Sequence, residues 1–321
     1  MNVYYRLDEI SRPFSRPVLT IGNFDGVHLG HQALFRKVRE LAASVSGDSV
    51  ALTFEPHPLK VLRPDAPFLR ICTLKHKIEL IAKAGIEHLI VLPFNKELAQ
   101  TAANDFIRKI FYQILGIENL VVGYDYALGK GREGDIPFLK KAGSEFGFTV
   151  HVVESVIIDG VIASSTKVRE LVSLGDIRAV SSLLGRYYQI RGIVQQGRRR
   201  GGPLLGFPTA NLNLDKKELC PRSGVYVVQV ITDGCCYGGV LNIGHNPTFG
   251  DQIFGAEVHI FDFDKDIYGR DIKLNLIERL RDEKKFSSPD ELILQIKEDV
   301  KTASQIIARE KGLYKACMDG V

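Results

Sequence analysis

Apolar residues recur with different periods in the two halves of the chain. Up to residue 184, short apolar runs typical of buried strands alternate with segments of helical period. The runs lie at 17–22, 49–54, 88–92, 119–123 and 148–153, and the helical segments near 29–45, 74–84, 102–115 and 137–146. This alternation predicts an α/β domain with a parallel sheet and helices on both faces. Ligands of such sheets bind beyond the carboxyl ends of the strands.

After residue 185 the pattern changes to strands and turns. Five segments have strand character, at 187–195, 224–232, 236–244, 256–263 and 270–280, and Asp233-Gly234 between two of them indicates a hairpin. Their spacing predicts a small antiparallel β-barrel, followed by one amphipathic helix at about 289–310. A short predicted helix at 177–184 precedes the change. We therefore predict two domains, 1–184 and 185–321.

Composition narrows the class of protein. The chain has 321 residues, of which 45% are apolar and 25% charged, as in globular proteins. No apolar run reaches the roughly 18–20 residues of a membrane helix, and residues 1–14 lack the apolar segment of a signal peptide. The net charge is only +4, and neither half is strongly basic. We expect a cytoplasmic protein that binds neither membranes nor nucleic acid.

The segment Gly22–His31 (GNFDGVHLGH) is the most informative part of the first half. It leaves a predicted strand, turns on glycines that allow a close approach to phosphate, and enters a helix whose N-terminus attracts anions. His28 and His31 are three residues apart and would share one face of the first turn. They could stabilise the charge that develops at an attacked α-phosphorus. Capping or core histidines, or a metal site, are the alternative interpretations.

A second segment, at 163–169 (ASSTKVR), also has the character of a phosphate site. Ser164, Ser165 and Thr166 supply hydroxyls before a predicted helix, and Arg169 adds a fixed positive charge. Taken alone, the same residues would be interpreted as a helix cap followed by an exposed arginine.

In the second half, the segment 205–212 (LGFPTANL) follows a glycine- and arginine-rich stretch that contains no Walker motif. Thr209 and Asn211 are two residues apart, so on an extended segment their side chains face the same way. A hydroxyl and an amide oxygen could hold Mg²⁺ while phosphates and water complete its coordination.

Together these segments resemble those of bacterial bifunctional riboflavin kinase/FMN adenylyltransferases. Further segments fit at 53–58 (TFEPHP), 122–135 (VGYDYALGKGREGD), 242–250 (NIGHNPTFG) and 280–286 (LRDEKKF), so that the resemblance runs from about residue 18 to residue 300. Tyr126 and Leu128 stand where phenylalanines are expected, and Pro203 stands where an arginine is expected. The resemblance implies a Rossmann-like nucleotidyltransferase domain followed by a β-barrel riboflavin kinase domain.

The resemblance also implies an activity and a set of site residues. The second domain would phosphorylate riboflavin to FMN, and the first would adenylylate FMN to FAD, with ATP as co-substrate of both reactions and Mg²⁺ as cofactor. Glu257 would be the base of the kinase, and His28 and His31 would act in the adenylyltransferase. The other binding residues would be Gly22, Phe24, Asp25, Gly30, Phe54, His57, Pro58, Asp125, Ser164, Ser165, Thr166 and Arg169 in the first domain, and Gly206, Pro208, Thr209, Asn211, Asn242 and Arg281 in the second.

Three other interpretations remain open from the sequence. One domain could have lost its activity, and Pro203 makes the kinase the candidate. The chain could be a flavin-binding sensor, although its reactive groups are present. A nucleotidyltransferase acting on another phosphate would share the histidine motif but would leave the segment at 205–212 unexplained. The sequence does not indicate an oligomeric state.

Overall fold

The computed structural model describes residues 1–195, 207–244 and 255–310. The chain divides into two compact units, Met1–Ser165 and Thr166–Val321. This division places two helices ahead of residue 185 in the second unit, whereas the boundary predicted from the sequence follows them.

The first unit is built on a parallel sheet, as predicted. Its strands are β1 (Asn2–Tyr4), β2 (Val18–Ile21), β3 (Ser49–Glu55), β4 (His88–Pro93), β5 (Asn119–Gly123) and β6 (Thr149–Val153), in the spatial order β1-β4-β3-β2-β5-β6. Every neighbouring pair is parallel. Edge strand β1 is absent from the sequence-based prediction, as is the small hairpin of β7 (Ile157–Ile158) and β8 (Val161–Ile162).

Helices cover both faces of this sheet. They are α1 (Leu29–Val45), α2 (Pro58–Leu62), α3 (Leu74–Lys83), α4 (Lys96–Ala99), α5 (Ala103–Phe106), which continues as the π-helix Ile107–Ile114, and α6 (Ile136–Phe146). Leu19 belongs to one apolar cluster, with Phe111 and Leu139. Its neighbour Val18 belongs to another, with Phe35 of α1. Because successive strand residues face opposite sides, the sheet is buried on both faces, as its apolar runs indicate.

The second unit is a closed antiparallel barrel, again as predicted. Its strands are β9 (Tyr188–Gln195), β10 (Ala210–Leu214), β11 (Gly224–Thr232), β12 (Cys235–Gly244), β13 (Gly255–Ile260) and β14 (Asp271–Arg281), in the order β10-β13-β12-β11-β14-β9. The short β10 is additional to the five predicted strands. Asp233 and Gly234 both have positive φ values, 49° and 74°, and form the predicted hairpin between β11 and β12.

Two helices precede the barrel strands in the sequence and one follows them. The helix α7 (Ser165–Leu174) leads into α8 (Ile177–Leu184), and Arg178 of α8 donates to Glu278 of β14 at 2.6 Å. The final helix is α9 (Pro289–Arg309), whose Ala303 and Ile307 pack against Val227 and Ile277 of the barrel. Among the described residues, no helix has the length and apolar character needed to cross a membrane.

Candidate active sites

Several predicted site residues follow the strands of the first unit at their carboxyl ends. His28 lies beyond β2, Phe54 and His57 lie at and beyond the end of β3, and Asp125 lies beyond β5. From the central β2 the chain proceeds to β3 on one side and later forms β5 on the other. Such a reversal of strand order creates a crevice at the carboxyl edge, and the candidate residues surround this crevice.

The turn between β2 and α1 is conformationally restricted. A Cβ atom on Gly22 would lie 2.8 Å from the ring of Phe24, and Gly26 has a φ of +78°. Phe24 and Val27 also adopt positive φ values, 48° and 41°, which are unfavourable for bulky and β-branched side chains. Both side chains are fully buried, so the surrounding core holds the turn in this conformation.

The two histidines at the start of α1 lie against each other. His28 is the N-cap residue, and its buried ring stacks on that of His31 with 3.6 Å between centroids. Phe24 contacts His31 edge-on at 5.3 Å. A Cβ atom on Gly30 would lie 3.0 Å from the carbonyl oxygen of Ala163 and 3.1 Å from the His28 ring. The predicted shared face is therefore present, with two imidazoles at a helix N-terminus.

Asp25 links this turn to two other segments. Its buried carboxylate accepts a hydrogen bond from the backbone N–H of Ile71, at 3.1 Å from each oxygen. Its backbone carbonyl accepts a hydrogen bond of 2.9 Å from the hydroxyl of Ser165. The serine-rich segment, including Ser164, is thus brought to the glycine turn. Thr166 and Arg169 lie in the first two turns of α7.

Phe54 and His57, at and beyond the end of β3, each pack against another aromatic ring. Phe54 packs edge-on against Phe94, and the Glu55–Pro56 peptide is cis. His57 caps α2, where Pro58 is the first residue, and stacks on Phe68 with 4.3 Å between ring centroids.

Asp125 is exposed, and its backbone carbonyl accepts a hydrogen bond of 2.8 Å from Arg132. Beside it, Tyr126 packs on the apolar cluster that contains the buried Leu128. Burial raises the pKa of Tyr126 well above its ordinary value. The two departures from the expected phenylalanines therefore both fill apolar positions.

A small polar cleft opens beside the turn. Five charged side chains line it, those of Asp25, Glu55, Lys60, Arg70 and Lys77, together with His57, Cys72 and Leu74. Lys77, which is buried, is not among the residues predicted from the sequence. One signal was available, because Lys77 is three residues after Leu74 and four before Ile81, on the apolar face of α3. Burial lowers the pKa of its ammonium group.

In the barrel, strand register brings together residues that are far apart in sequence. Asn211 of β10 lies opposite Glu257 of β13, and Glu257 lies opposite Asn242 of β12. The flanking Ala256 and Val258 are buried, so Glu257 belongs to the outward-facing set of β13 and is half-buried. The three polar residues form a row across three adjacent strands.

The segment before β10 contacts His259, which lies next to this row. The carbonyl oxygen of Pro208 lies 2.8 Å from Nδ1 of His259, and Phe207 packs edge-on against the same ring. His259 follows Glu257 by two residues and shares its face of the strand. Thr209 lies directly before β10. Gly206 and Pro203 lie outside the described residues, as do residues 245–250 of the predicted loop.

Arg281 ends β14 and makes a paired contact with α9. Its guanidinium donates to both carboxylate oxygens of Asp299, at 3.0 Å from Nε and 2.7 Å from Nη2. Asp299 is only 6% exposed. The register places Val225 between Asn242 and Arg281, so Arg281 lies at the level of the polar row. Arg281 is therefore held by an ion pair with a buried carboxylate, and its role in the site stays a prediction.

Comparisons with known proteins agree with this division. A family model for FAD synthetase matches residues 11–167, and one for riboflavin kinase matches residues 184–307. A Pseudomonas fluorescens protein named bifunctional riboflavin kinase/FMN adenylyltransferase is 38% identical, over 91% of this chain and 93% of its own. An Escherichia coli K12 protein of the same name is 37% identical over 92% and 94%.

One solved structure resembles nearly the whole chain. It is a Streptococcus pneumoniae protein described as a macrolide-efflux protein, with a TM-score of 0.85 and 32% identity, covering 94% of this chain and 98% of its own. The two-part architecture is therefore shared with a protein of closely similar length.

Proposed function

The chain belongs to the family of bacterial bifunctional riboflavin kinase/FMN adenylyltransferases, and from this premise we propose how its residues carry out the two reactions. It is a transferase of flavin cofactor biosynthesis. Riboflavin is phosphorylated to FMN by the kinase part, and FMN is adenylylated to FAD by the FAD synthetase part. ATP is the second substrate of each reaction.

In the first unit, the stacked pair of His28 and His31 acts on adenylyl transfer. A phosphate oxygen of FMN attacks the α-phosphorus of ATP, the new P–O bond forms, and pyrophosphate leaves. Negative charge builds on the α-phosphate oxygens during this step. The imidazoles and the N–H groups at the start of α1 supply hydrogen-bond donors and a positive dipole end for that charge. The hydroxyl groups of Ser164, Ser165 and Thr166, with Arg169, bind the triphosphate in the same proposal.

The remaining residues of the first unit surround the ligands. Gly22 and Gly30 have no Cβ atom, which would otherwise lie against the rings of Phe24 and His28, respectively. The absence of these atoms allows the backbone of the turn to approach a bound phosphate closely. We assign Asp25, Phe54, His57, Pro58 and Asp125 to the walls of the ATP and flavin site. The position of these residues around the crevice at the carboxyl edge of the sheet supports this assignment.

In the second unit, Glu257 is the general base. Its carboxylate accepts the proton of the riboflavin 5′-hydroxyl as the oxygen attacks the γ-phosphorus of ATP, and ADP leaves. Asn242 flanks Glu257 on one side, and Gly206 and Pro208 belong to the segment that would hold the nucleotide. Arg281 contributes to the flavin side of the pocket. The row of Asn211, Glu257 and Asn242 supports this proposal most directly.

Thr209 and Asn211 are proposed as ligands of Mg²⁺. A hydroxyl and an amide carbonyl are hard oxygen donors, as this cation prefers, and Mg²⁺ commonly takes few protein ligands because phosphates and water fill the other positions. Asn211 lies opposite the base Glu257 on the neighbouring strand, so the donor set fits the cation. When bound, Mg²⁺ would neutralise charge on the ATP phosphates.

We place the functional boundary at residues 184/185, with the adenylyltransferase at 1–184 and the kinase at 185–321. The start of the riboflavin kinase match at residue 184 supports this boundary. We also propose a cytoplasmic location and no nucleic-acid or membrane partner. The small net charge of +4 supports the proposal that the chain does not bind nucleic acid.

The experiment that tests the proposal is a product time course. The purified chain is incubated with riboflavin, ATP and Mg²⁺, and the flavins are separated by chromatography. We expect FMN to appear first and then to be converted to FAD. FMN that persists would contradict the assignment of the first unit. FAD formed only when FMN is supplied would contradict the assignment of the second. Omission of Mg²⁺ should abolish FMN formation, and unchanged formation would refute the proposed metal site.

A further inference from the structure

Lys77 of α3 joins the Gly22–His28 turn to strand β3. Its Nζ donates to the backbone carbonyl of Asn23 at 3.1 Å and to the hydroxyl of Thr53 at 3.2 Å. That hydroxyl in turn donates to the same Asn23 carbonyl at 3.1 Å. The three groups form a closed triangle of hydrogen bonds, which connects a helix, a strand end and the turn that precedes the histidines.

An ammonium group is a costly choice at this position. Lys77 is 5% exposed and Thr53 is fully buried, and a buried charge loses its hydration. The ionisable groups that act on it are Cys72, Asp25 and Glu55, which favour its protonated form, and Arg70, which opposes it. A methionine of similar length would avoid the cost of dehydration. The lysine must therefore contribute through its hydrogen bonds to the Asn23 carbonyl and the Thr53 hydroxyl.

Those groups belong to the most restricted backbone of the site. The Asn23 carbonyl is part of the peptide directly before Phe24, whose φ is 48°, and Val27 follows at 41°. Backbone in this region persists only where the surroundings hold it. His28 follows Val27 directly, and the Phe24 ring contacts His31. A shift of the Asn23 peptide would therefore move both imidazoles.

We propose that Lys77 is a positioning residue for adenylyl transfer, an inference that rests on the function proposed above. It acts through the Asn23 carbonyl and the Thr53 hydroxyl, and it keeps the turn in the conformation that aims His28 and His31 at the reacting phosphate. It is not assigned a contact with the phosphorus centre. Its effect belongs to the rate of the chemical step rather than to the binding of ATP or FMN.

The test compares Lys77→Met with Lys83→Met, which changes an exposed lysine of the same helix. A small misplacement of catalytic groups can cost up to about 100-fold in rate. We expect Lys77→Met to lower kcat for FAD formation from FMN by about 10- to 100-fold, with KM values changed less than about threefold. Riboflavin phosphorylation by the same chain should be unchanged, and Lys83→Met should match the wild type in both reactions.

Two further measurements separate positioning from a general loss of stability. Thr53→Val removes the other corner of the triangle, so it should lower the same kcat, and the double variant should be no slower than the slower single variant. The ring signals of His28 and His31 in NMR spectra should shift in Lys77→Met and not in Lys83→Met. If Lys77→Met fails to fold, Thr53→Val carries both measurements.

Several outcomes would overturn the inference. They are an unchanged kcat in folded Lys77→Met or Thr53→Val, a raised KM with kcat retained, or fully additive effects in the double variant. A wild-type chain that forms no FAD would instead refute the proposed function. In that case the histidine signals still test the structural claim, and unchanged signals would refute it.

Discussion

The two candidate sites are assembled in opposite ways. In the first unit, His28 and His31 lie within one helical turn, and their stacking at 3.6 Å is set by a buried turn immediately before them. In the barrel, Asn211, Glu257 and Asn242 come from three strands and meet only through their register. The histidine pair of the first site depends on local conformation, and the polar row of the second depends on the pairing of strands in a closed sheet.

This difference affects how each site should respond to change. A local site is perturbed most by substitutions that relax its turn, whereas a register-built site tolerates local change as long as the strands remain paired. The two sites also catalyse reactions with separate products, FMN and FAD. Each activity can therefore serve as an internal control for damage to the other unit.

The largest expected effect is that of Glu257→Gln on the barrel site. Removing a general base typically costs about 10²–10⁴ in rate, so FMN formation should fall by that amount. Glutamine preserves size and strand pairing, and FAD formation from supplied FMN should stay within about twofold of the wild type. Assays with riboflavin and with FMN as separate substrates check this. Equal loss of both activities would contradict the independence of the two sites.

His28→Ala tests the local site in the same way. The loss of one donor that stabilises a transition state costs about 10²–10³ in rate, so FAD formation should fall by that factor while FMN formation is spared. His31→Ala should behave similarly, because the two rings act as a pair. An His28→Ala variant that retains FAD formation would show that the stacked pair is structural.

The same contrast explains what the sequence could and could not predict. Apolar periodicity predicted the helix at 29–45 and the parallel sheet, since local pattern and burial agree there. The three-residue spacing of His28 and His31 also placed them on one face, because helical geometry determines which side chains at that spacing are neighbours. The pairing of Asn211 with Glu257 depends on contacts 46 positions apart, and only resemblance to a family brought these residues together.

Other features depend on tertiary packing and carry weaker signals. Edge strand β1 has only three residues, too few for a period to be recognised. The buried state of Lys77 depends on how α3 packs over β3 and the turn. The last helix was predicted to be amphipathic, but its buried residues are Asp299, Ala303 and Ile307, and the partner of Asp299, Arg281, lies on a strand. A charge on a buried face becomes interpretable only when its partner is known.

A smaller effect is expected for Asp299→Ala, which removes the ion-pair partner of Arg281 at the barrel site. Removing one partner of a buried ion pair costs about 3 kcal/mol or more, and Arg281 would lose the contact that fixes its guanidinium. We expect a lower midpoint for thermal unfolding and a raised KM for riboflavin, with FAD formation from FMN unchanged.

The matched control is Arg270→Ala, which breaks the exposed pair between Arg270 and Asp233 in the same barrel. Exposed pairs contribute less than about 1 kcal/mol, so this variant should resemble the wild type. Equal destabilisation by both variants would contradict the structural role assigned to the Asp299 contact.

The smallest effect is expected for Tyr126→Phe in the first unit. The ring packs against the apolar cluster around Leu128, and phenylalanine would keep that packing and remove only the hydroxyl. The rate of FAD formation should stay within about twofold of the wild type, and the free energy of unfolding within about 0.5 kcal/mol, as for substitutions that create no cavity. A large loss of FAD formation would mean that the Tyr126 hydroxyl contacts a ligand. The loop after β5 would then hold a ligand through a side-chain hydroxyl as well as form a wall of the site, and the first unit, like the barrel, would depend on groups brought together from separate strands.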